Sequence, residues 1–467
     1  MRTLAQALRA GHPDDPLRRA FAPLGSWPTV DRLADFEAAK GQRSGEFDLD
    51  GGALAQIGTR FHDTAGTLTP AVAASLAAIG SGTKCVRVSH QPNFAAYLKL
   101  LSLFATADAV ADRFELPSVY VINDCDAIAN ERFVRCLLPD VTRAKGHQYL
   151  SLPVNRQPHD SVAFRAPAPP LSWLVGIAER LEENFRSELR LIGIDPPDDA
   201  LSVATVVEDI EYSLSVAQNL AEFTAVLLSR TVNLRLELPT PFLPGHLLWR
   251  EVGADALGGM LSRWPEVLAA QESVARRLSA MPELEFNWDW LLDSELAPAW
   301  GLCACDRRVR LHFAKDSALV GHCAGCKSDM ELAADEYSAQ VAMGRLLPRV
   351  GLLDLTENAA SAFDSGVSYM SSGTHSLIYG LVGQELGSPP LPQIFLDARG
   401  RFGSPIERLL ASDWRPKSAM GLAPGAEIVT EGRATSLYYL TRVGCGALLD
   451  ALSSWVTKRC FSENVIV

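Results

Sequence analysis

Four cysteines stand in two tight pairs, Cys303-Ala-Cys305 and Cys323-Ala-Gly-Cys326, with seventeen residues between them. Two turns that each present two thiolates, joined by a polar, β-rich stretch (Arg307 to Phe313), are a way to enclose a tetrahedral Zn²⁺ ion. The second pair has the usual C-x-x-C spacing and the first is one residue tighter. His312 or His322 is an alternative to one sulfur, and two unrelated thiol pairs or a redox couple is the other reading. With all four positions filled by protein, the expected metal is structural and takes no part in a reaction.

Three further groups carry side chains suited to chemistry. His90-Gln91-Pro92-Asn93 follows an apolar run, Lys84 to Ser89, and precedes a helix-patterned run, Phe94 to Ala111. A turn into a helix offers free N–H groups to anions such as nucleotide phosphates. His90 in that turn is placed to donate to a phosphate as charge develops, with Gln91 a nucleotide contact; Asn93 reads equally as a helix cap. Asp124-Cys125-Asp126 closes the apolar run Ser118 to Asn123. Two carboxylates two residues apart on a strand share a face, and they suit an amine, Mg²⁺ or general-base work; turn formation is the structural alternative. A third stretch, Gly366 to His375, reads as a Gly- and Ser-rich loop that opens a helix. Ser371, Ser372, Gly373 and Thr374 there offer hydroxyl and N–H groups to an anion or ribose, and His375 an acid or ligand. Lys417, in Lys417-Ser-Ala-Met-Gly421, reads from its own surroundings as a plain surface lysine.

The elements that must position these groups follow from the pattern of apolar residues. Strand, helix and strand over Lys84 to Asn123 make a βαβ unit with a parallel pair, whose ligands sit at the strands' carboxyl ends. Residues 170–290 read as mostly helical, with period-3.6 spacing over Trp173–Ile194 and Val206–Leu228. A second α/β stretch follows: Val350 to Leu355 as a strand, Ser376 to Leu386 as a helix, and Leu391 to Asp397 as a strand. A last helix runs from about Thr435 to Val456. The expected fold class is α/β, a Rossmann-like parallel core split by a helical insertion and a zinc ribbon. The expected division is an arm (1–80), the first half of the core (81–165), the helical insertion (166–298), the ribbon (299–335), the second half of the core (336–400) and a C-terminal loop and helix (401–467).

Composition narrows the function classes. A net charge of −12 argues against broad nucleic-acid binding, which needs a clustered basic surface. No run of about 18 apolar residues exists, and the first residues are too polar for a signal peptide, so no membrane partner is expected. Nine cysteines, four in metal-like spacing, fit a reducing cytoplasm better than a disulfide framework.

A split α/β core with a zinc-bearing insert resembles the catalytic domains of class I aminoacyl-tRNA synthetases. His90 to Asn93 resembles their His-x-Gly-His or His-x-Gly-Asn signature, with Pro92 where those enzymes have Gly. Lys417 falls where they carry a mobile loop whose lysine stabilises the pyrophosphate, so the resemblance implies a phosphate contact for Lys417 and ATP or another adenine nucleotide as ligand. Within that class the chain resembles the BshC-type cysteine ligases of bacillithiol biosynthesis. Val86-Arg-Val-Ser-His-Gln91 is similar to the family's Val-Val-Thr-Gly-Gln-Gln strand end. Ser118 to Asp126 is similar to its Pro-Val-Phe-Trp-x-x-x-Glu-Asp-His-Asp segment. Pro348-Arg-Val, Ser368 to Tyr379 and Gly387-Ser-Pro-Pro-Leu-Pro follow in the same order as family blocks. The chain departs from the family in a shortened Pro92-Asn93-Phe94 turn, in His375 near the family's loop Glu, and in a ribbon more similar to that of class I lysyl-tRNA synthetases. The resemblance covers about half the chain. It implies a divergent ligase that joins an amino acid to a small amine in a biosynthetic pathway other than that of bacillithiol. Nucleotide would lie between His90–Asn93 and Ser371–His375, with Asp124 and Asp126 near the reacting amine. A synthetase-like enzyme or one using aminoacyl-tRNA is the alternative, and a non-catalytic zinc-ribbon interaction protein is a third reading. The partners that follow are an amino acid and an amine acceptor, with tRNA the alternative and a homodimer the assembly considered.

Overall fold

The computed structural model describes residues 2–3, 45–128, 131–140, 147–154, 160–192, 196–280, 284–285, 296–369, 374–388, 391–396, 435–442 and 444–460. In chain order, helices α1 (Gly51–Ala65) and α2 (Pro70–Gly80) lead into strand β1 (Cys85–His90), helix α3 (Leu98–Phe114) and strand β2 (Ser118–Ile122). A hairpin, β3 (Arg135–Pro139) and β4 (His147–Ser151), precedes α4 (Leu171–Ile192), α5 (Val203–Val216) and α6 (Leu220–Ser229). Strand β5 (Phe242–Pro244) is followed by α7 (Gly245–Glu251), α8 (Ala254–Ser262) and α9 (Trp264–Ser279). Next come β6 (Leu296–Leu302), β7 (Arg308–Phe313), β8 (Leu319–His322), β9 (Asp329–Leu332), α10 (Tyr337–Ala342) and β10 (Leu346–Pro348). The chain continues through α11 (Val350–Ala359), β11 (Phe363–Tyr369), α12 (Thr374–Glu385), β12 (Gln393–Leu396), α13 (Ser436–Arg442) and α14 (Cys445–Cys460).

Five strands form one parallel sheet in the order β12-β11-β1-β2-β5. Numbered by appearance within the sheet, that order reads 5-4-1-2-3, the doubly wound pattern, and the direction of winding reverses between β1 and β11. Both faces are covered, which explains the continuous apolar runs. Val86, Val88, Tyr120, Ile122 and Phe242 enter one core, while Cys85, Val119, Val121 and Leu243 enter the other. The parallel α/β core expected from the sequence is present. A second, antiparallel sheet, β9-β8-β7-β6-β10, carries the four paired cysteines.

Four elements differ from their expected form. Gly366–Tyr369, expected as part of a loop from its small residues, is the end of strand β11 and pairs with β1 and β12. The helix expected over Thr435 to Val456 is two helices, α13 and α14, parted by Gly444 in the left-handed region at φ 90°. Val350 to Leu355 is helical, the start of α11, and not a strand. Every residue from Leu352 to Ala359 is buried, and an all-round buried helix gives the same unbroken apolar signal as a central strand. Within the stretch expected as a helical insertion, Phe242–Pro244 is the fifth strand of the parallel sheet. Pro239, Pro241 and Pro244 hide it in the sequence, since proline is tolerated only where no ladder N–H is needed, as on this edge.

That edge is closed from inside the protein. The N–H of Phe242 donates to Nε2 of buried His62 at 2.8 Å. The other nitrogen, Nδ1, lies 2.6 Å from Thr67 Oγ1, which meets Ser229 Oγ at 2.8 Å. Nε2 must be unprotonated to accept, so the neutral Nδ1–H form is the one that fits. Burial pushes the His62 pKa down to about 3. On the same side of the sheet as Cys85, Arg87 of β1 pairs with Glu357 of α11 at 2.6 Å, with side chains 2% and 0% exposed. Ser89 also donates to Glu357, at 3.2 Å. This pair locks the central strand to the helix that precedes β11.

Candidate active site and candidate metal centre

The carboxyl ends of β1, β2 and β5 meet in one place. The carbonyl of His90 accepts from the Asn123 N–H (2.9 Å) and from the Tyr120 hydroxyl (2.7 Å), which stitches the end of β1 to β2. His90 Nδ1 lies 3.0 Å from the Gln91 carbonyl, and Nε2 lies 3.4 Å from the Tyr97 hydroxyl. Gln91 Nε2 donates to Asp126 Oδ2. His90, Gln91 and Asp126 thus lie together at the ends of β1 and β2.

Asp124 and Asp126 lie beyond the end of β2, in a loop, so strand alternation does not set their directions. They turn to different partners. Asp126 Oδ1 accepts from Arg308 Nη1 at 3.3 Å. Asp124, which is buried, accepts twice from one residue: Oδ1 from the backbone N–H of His246 at 2.8 Å and Oδ2 from its Nδ1 at 2.5 Å. The imidazole of His246 stacks on Phe164, with centroids 4.7 Å apart and planes 5° from parallel. Gly245 makes this approach possible, because a Cβ there would lie 2.3 Å from the Ile122 carbonyl oxygen. Cys125, between the carboxylates, packs against Val162, Leu302 and Leu347. Burial, and then the charges of Asp124 and Asp126, hold its thiol well above the ordinary range, the environment of a packed thiol.

Asn93 is not a helix cap. The following helix, α3, begins at Leu98, with Tyr97 at its N-cap and Ala95 in the left-handed region at φ 44°. The chain needs this irregular turn to pass from β1 into α3, so the free N–H groups of α3 lie further along than the sequence suggested. Asn93 is 2% exposed, and neither Oδ1 nor Nδ2 has a hydrogen-bond partner among the described residues. Buried polar groups in native proteins are almost always satisfied, so this side chain calls for a water or a ligand. Helix α12 does open at Thr374, as its Ser- and Gly-rich approach implied. Ser371, Ser372, Gly373 and Lys417 lie outside the described residues, as do the side chains of Thr374 and His375.

The four cysteines come together. Their sulfurs all lie within 4.8 Å of one another, with Cys303 and Cys326 3.3 Å apart and Cys305 and Cys323 3.5 Å apart. A tetrahedral ion with Zn–S bonds of about 2.3 Å needs sulfurs about 3.8 Å apart, so the set fits a metal such as zinc. The two turns are built alike. Cys303 N–H bonds to the Arg307 carbonyl (3.0 Å) and Cys323 N–H to the Ser328 carbonyl (2.9 Å). The residue after each second cysteine is left-handed, Asp306 at φ 62° and Lys327 at φ 64°. The first turn is the same device one residue shorter. His322 pairs instead with Asp329 at 2.8 Å, and neither it nor His312 belongs to the cluster. Among the described residues these thiols are the one group of three or more His, Cys, Asp or Glu side chains close enough to share an ion. The carboxylates at the strand ends form no such cage for Mg²⁺.

The two centres are joined by a single strand. Arg308 follows the first cysteine turn directly, and its N–H bonds to the Asp160 carbonyl at 2.9 Å. Its guanidinium lies 4.5 Å from the centre of the Trp300 ring and reaches Asp126. The first cysteine turn thus leads directly into a cation that reaches the strand-end residues. Neither His246 nor Arg308 was evident from sequence. A Pro-Gly-His run at a strand-to-helix turn was the available signal for His246, and nothing local marks Arg308. No protein-family model matches the chain, and no curated protein matches it.

Proposed function

We propose that this chain is a ligase with a class I synthetase-like core, which uses ATP to activate an amino acid and joins it by an amide bond to a small amine. One observation carries the reading: the carboxyl ends of β1 and β2, beside the point where a 5-4-1-2-3 sheet reverses direction, bear His90, Gln91, Asp124 and Asp126, tied by the Gln91–Asp126 bond. Ligands of doubly wound sheets bind at that place. The buried amide of Asn93, with both polar atoms unpartnered among the described residues, supports a polar ligand there. The order of motifs resembling the BshC-type ligases supports an amino acid as donor and an amine as acceptor. In this reading His90 stabilises the charge that develops on a phosphate, and the four thiolates hold a structural Zn²⁺.

The test is amino-acid-dependent exchange of pyrophosphate into ATP, run over the common amino acids with the wild type and His90→Ala. Exchange with one amino acid, reduced about a hundredfold or more in the variant, is the expected result. Exchange with none of them, by folded protein that holds its metal, overturns activation by adenylation. Exchange only after tRNA is added moves the activity to a tRNA-linked enzyme.

A further inference from the structure

The Asp124–His246 pair has a geometry that cap or packing roles do not require. A carboxylate that only closed the start of α7 would accept backbone N–H groups. Asp124 accepts one of these, but its second oxygen takes the side-chain Nδ1 of the same residue. Both bonds fix one imidazole, and the flat stack on Phe164 removes its remaining freedom to rotate. Nδ1 carries the proton, so Nε2 carries the lone pair. The His246 side chain is 14% exposed, and Nε2 makes no hydrogen bond among the described residues. A carboxylate that orients an imidazole and leaves the far nitrogen as an open acceptor is the arrangement of a general base. The neighbourhood supports it: His246 stands at the carboxyl end of β5, beside β2, at the same sheet edge as Asp126 and Gln91.

We propose that His246, oriented by Asp124, is the catalytic base that takes a proton from the attacking amine; this rests on the ligase reading above. The acceptor reacts as its neutral amine. Its nitrogen lone pair forms the C–N bond to the carbonyl carbon of the aminoacyl adenylate, and one N–H proton passes to Nε2 of His246. The acyl C–O bond then breaks, AMP leaves with that electron pair, and the imidazolium gives its proton to water. Asp124 stays ionised throughout and stabilises the imidazolium.

The test uses His246→Asn, whose side-chain N–H stands in for Nδ1 and keeps the bond to Asp124 while Nε2 is removed. Single-turnover transfer from enzyme-bound aminoacyl adenylate is followed with methylamine and with hydroxylamine, whose conjugate acid is far more acidic and which needs a base less. The expected result is a loss of about a hundredfold with methylamine and under about tenfold with hydroxylamine. Equal losses with both nucleophiles, or none, overturn the base role. A second measurement needs no substrate. Nitrogen NMR of the wild type should show His246 protonated at Nδ1 with a free Nε2, and Asp124→Asn should change that signature. A His246 proton on Nε2 overturns the proposal even where the enzyme makes no adenylate, whereas absence of adenylate with the expected tautomer tells against the ligase reading alone.

Discussion

Asp124 spends both oxygens on His246, and the contact exists because residue 245 has no side chain. Gly245→Ala places a methyl group against the Ile122 carbonyl oxygen, so α7 must shift and the Asp124–His246 bonds lengthen. Expected is a loss of about 1–3 kcal/mol in denaturant melts, with the NMR signature of His246 altered in the same sample. His62 sets a different expectation. Its folded pKa, about 3, lies below the ordinary value of 6.5, so the unfolded chain binds the proton first as pH falls. The stability its neutral form contributes is complete above about 6.5 and declines as pH falls from there towards about 3, by up to about 1.4 kcal/mol per pH unit. Urea melts across that window should show this slope in the wild type, and the difference from His62→Gln should shrink with acidification. The site was half legible at this scale. His90, Gln91, Asp124 and Asp126 could be read because each follows an apolar run that had to be a strand. His246 and Arg308 reach the same carboxylates from 122 and 182 residues away, a distance over which local pattern says nothing.

Individual elements carry two couplings. The pair Arg87–Glu357 joins β1 to α11 with no solvent to screen it. Arg87→Met leaves a carboxylate buried without its cation and should cost about 3–5 kcal/mol, while R87M/E357L should recover most of that loss in the same melts. The second coupling runs from the cysteine turns along β7. If the metal holds Arg308 in place, removing the ion with a chelator and substituting Arg308→Ala act on one contact. Each should lower the melting temperature and weaken pyrophosphate exchange, and the two together should weaken exchange no more than the larger alone. Additive effects would separate the cysteine turns from the strand-end residues. One zinc per chain by metal analysis is the accompanying expectation. The cysteine spacing was enough to foresee both turns, because metal geometry is local. It was not enough to tell α11 from a strand, since burial on all sides erases the periodicity that distinguishes them.

Across the whole molecule, the sequence announced a parallel βαβ unit but not the order of the sheet. Order depends on which distant strands pair, and β5 and β11 enter from long excursions of the chain. No helix among the described residues is long and apolar enough to cross a membrane. The topology has a consequence for how the protein is made. β1, a central strand of the finished sheet, is flanked by β2, which follows closely, and by β11, which begins only at Phe363. A half-sheet of β1, β2 and β5 formed before β11 is synthesised would leave β1 as an open edge, the kind that recruits strands from neighbouring chains. Arg87 lies on that strand with its partner Glu357 not yet synthesised. An inward charge on an exposed strand is one of the ways proteins discourage such association. Arg87 would then act before its burial, as a guard on an unfinished edge. R87M/E357L, stable once folded, should then aggregate more than the wild type during refolding by dilution.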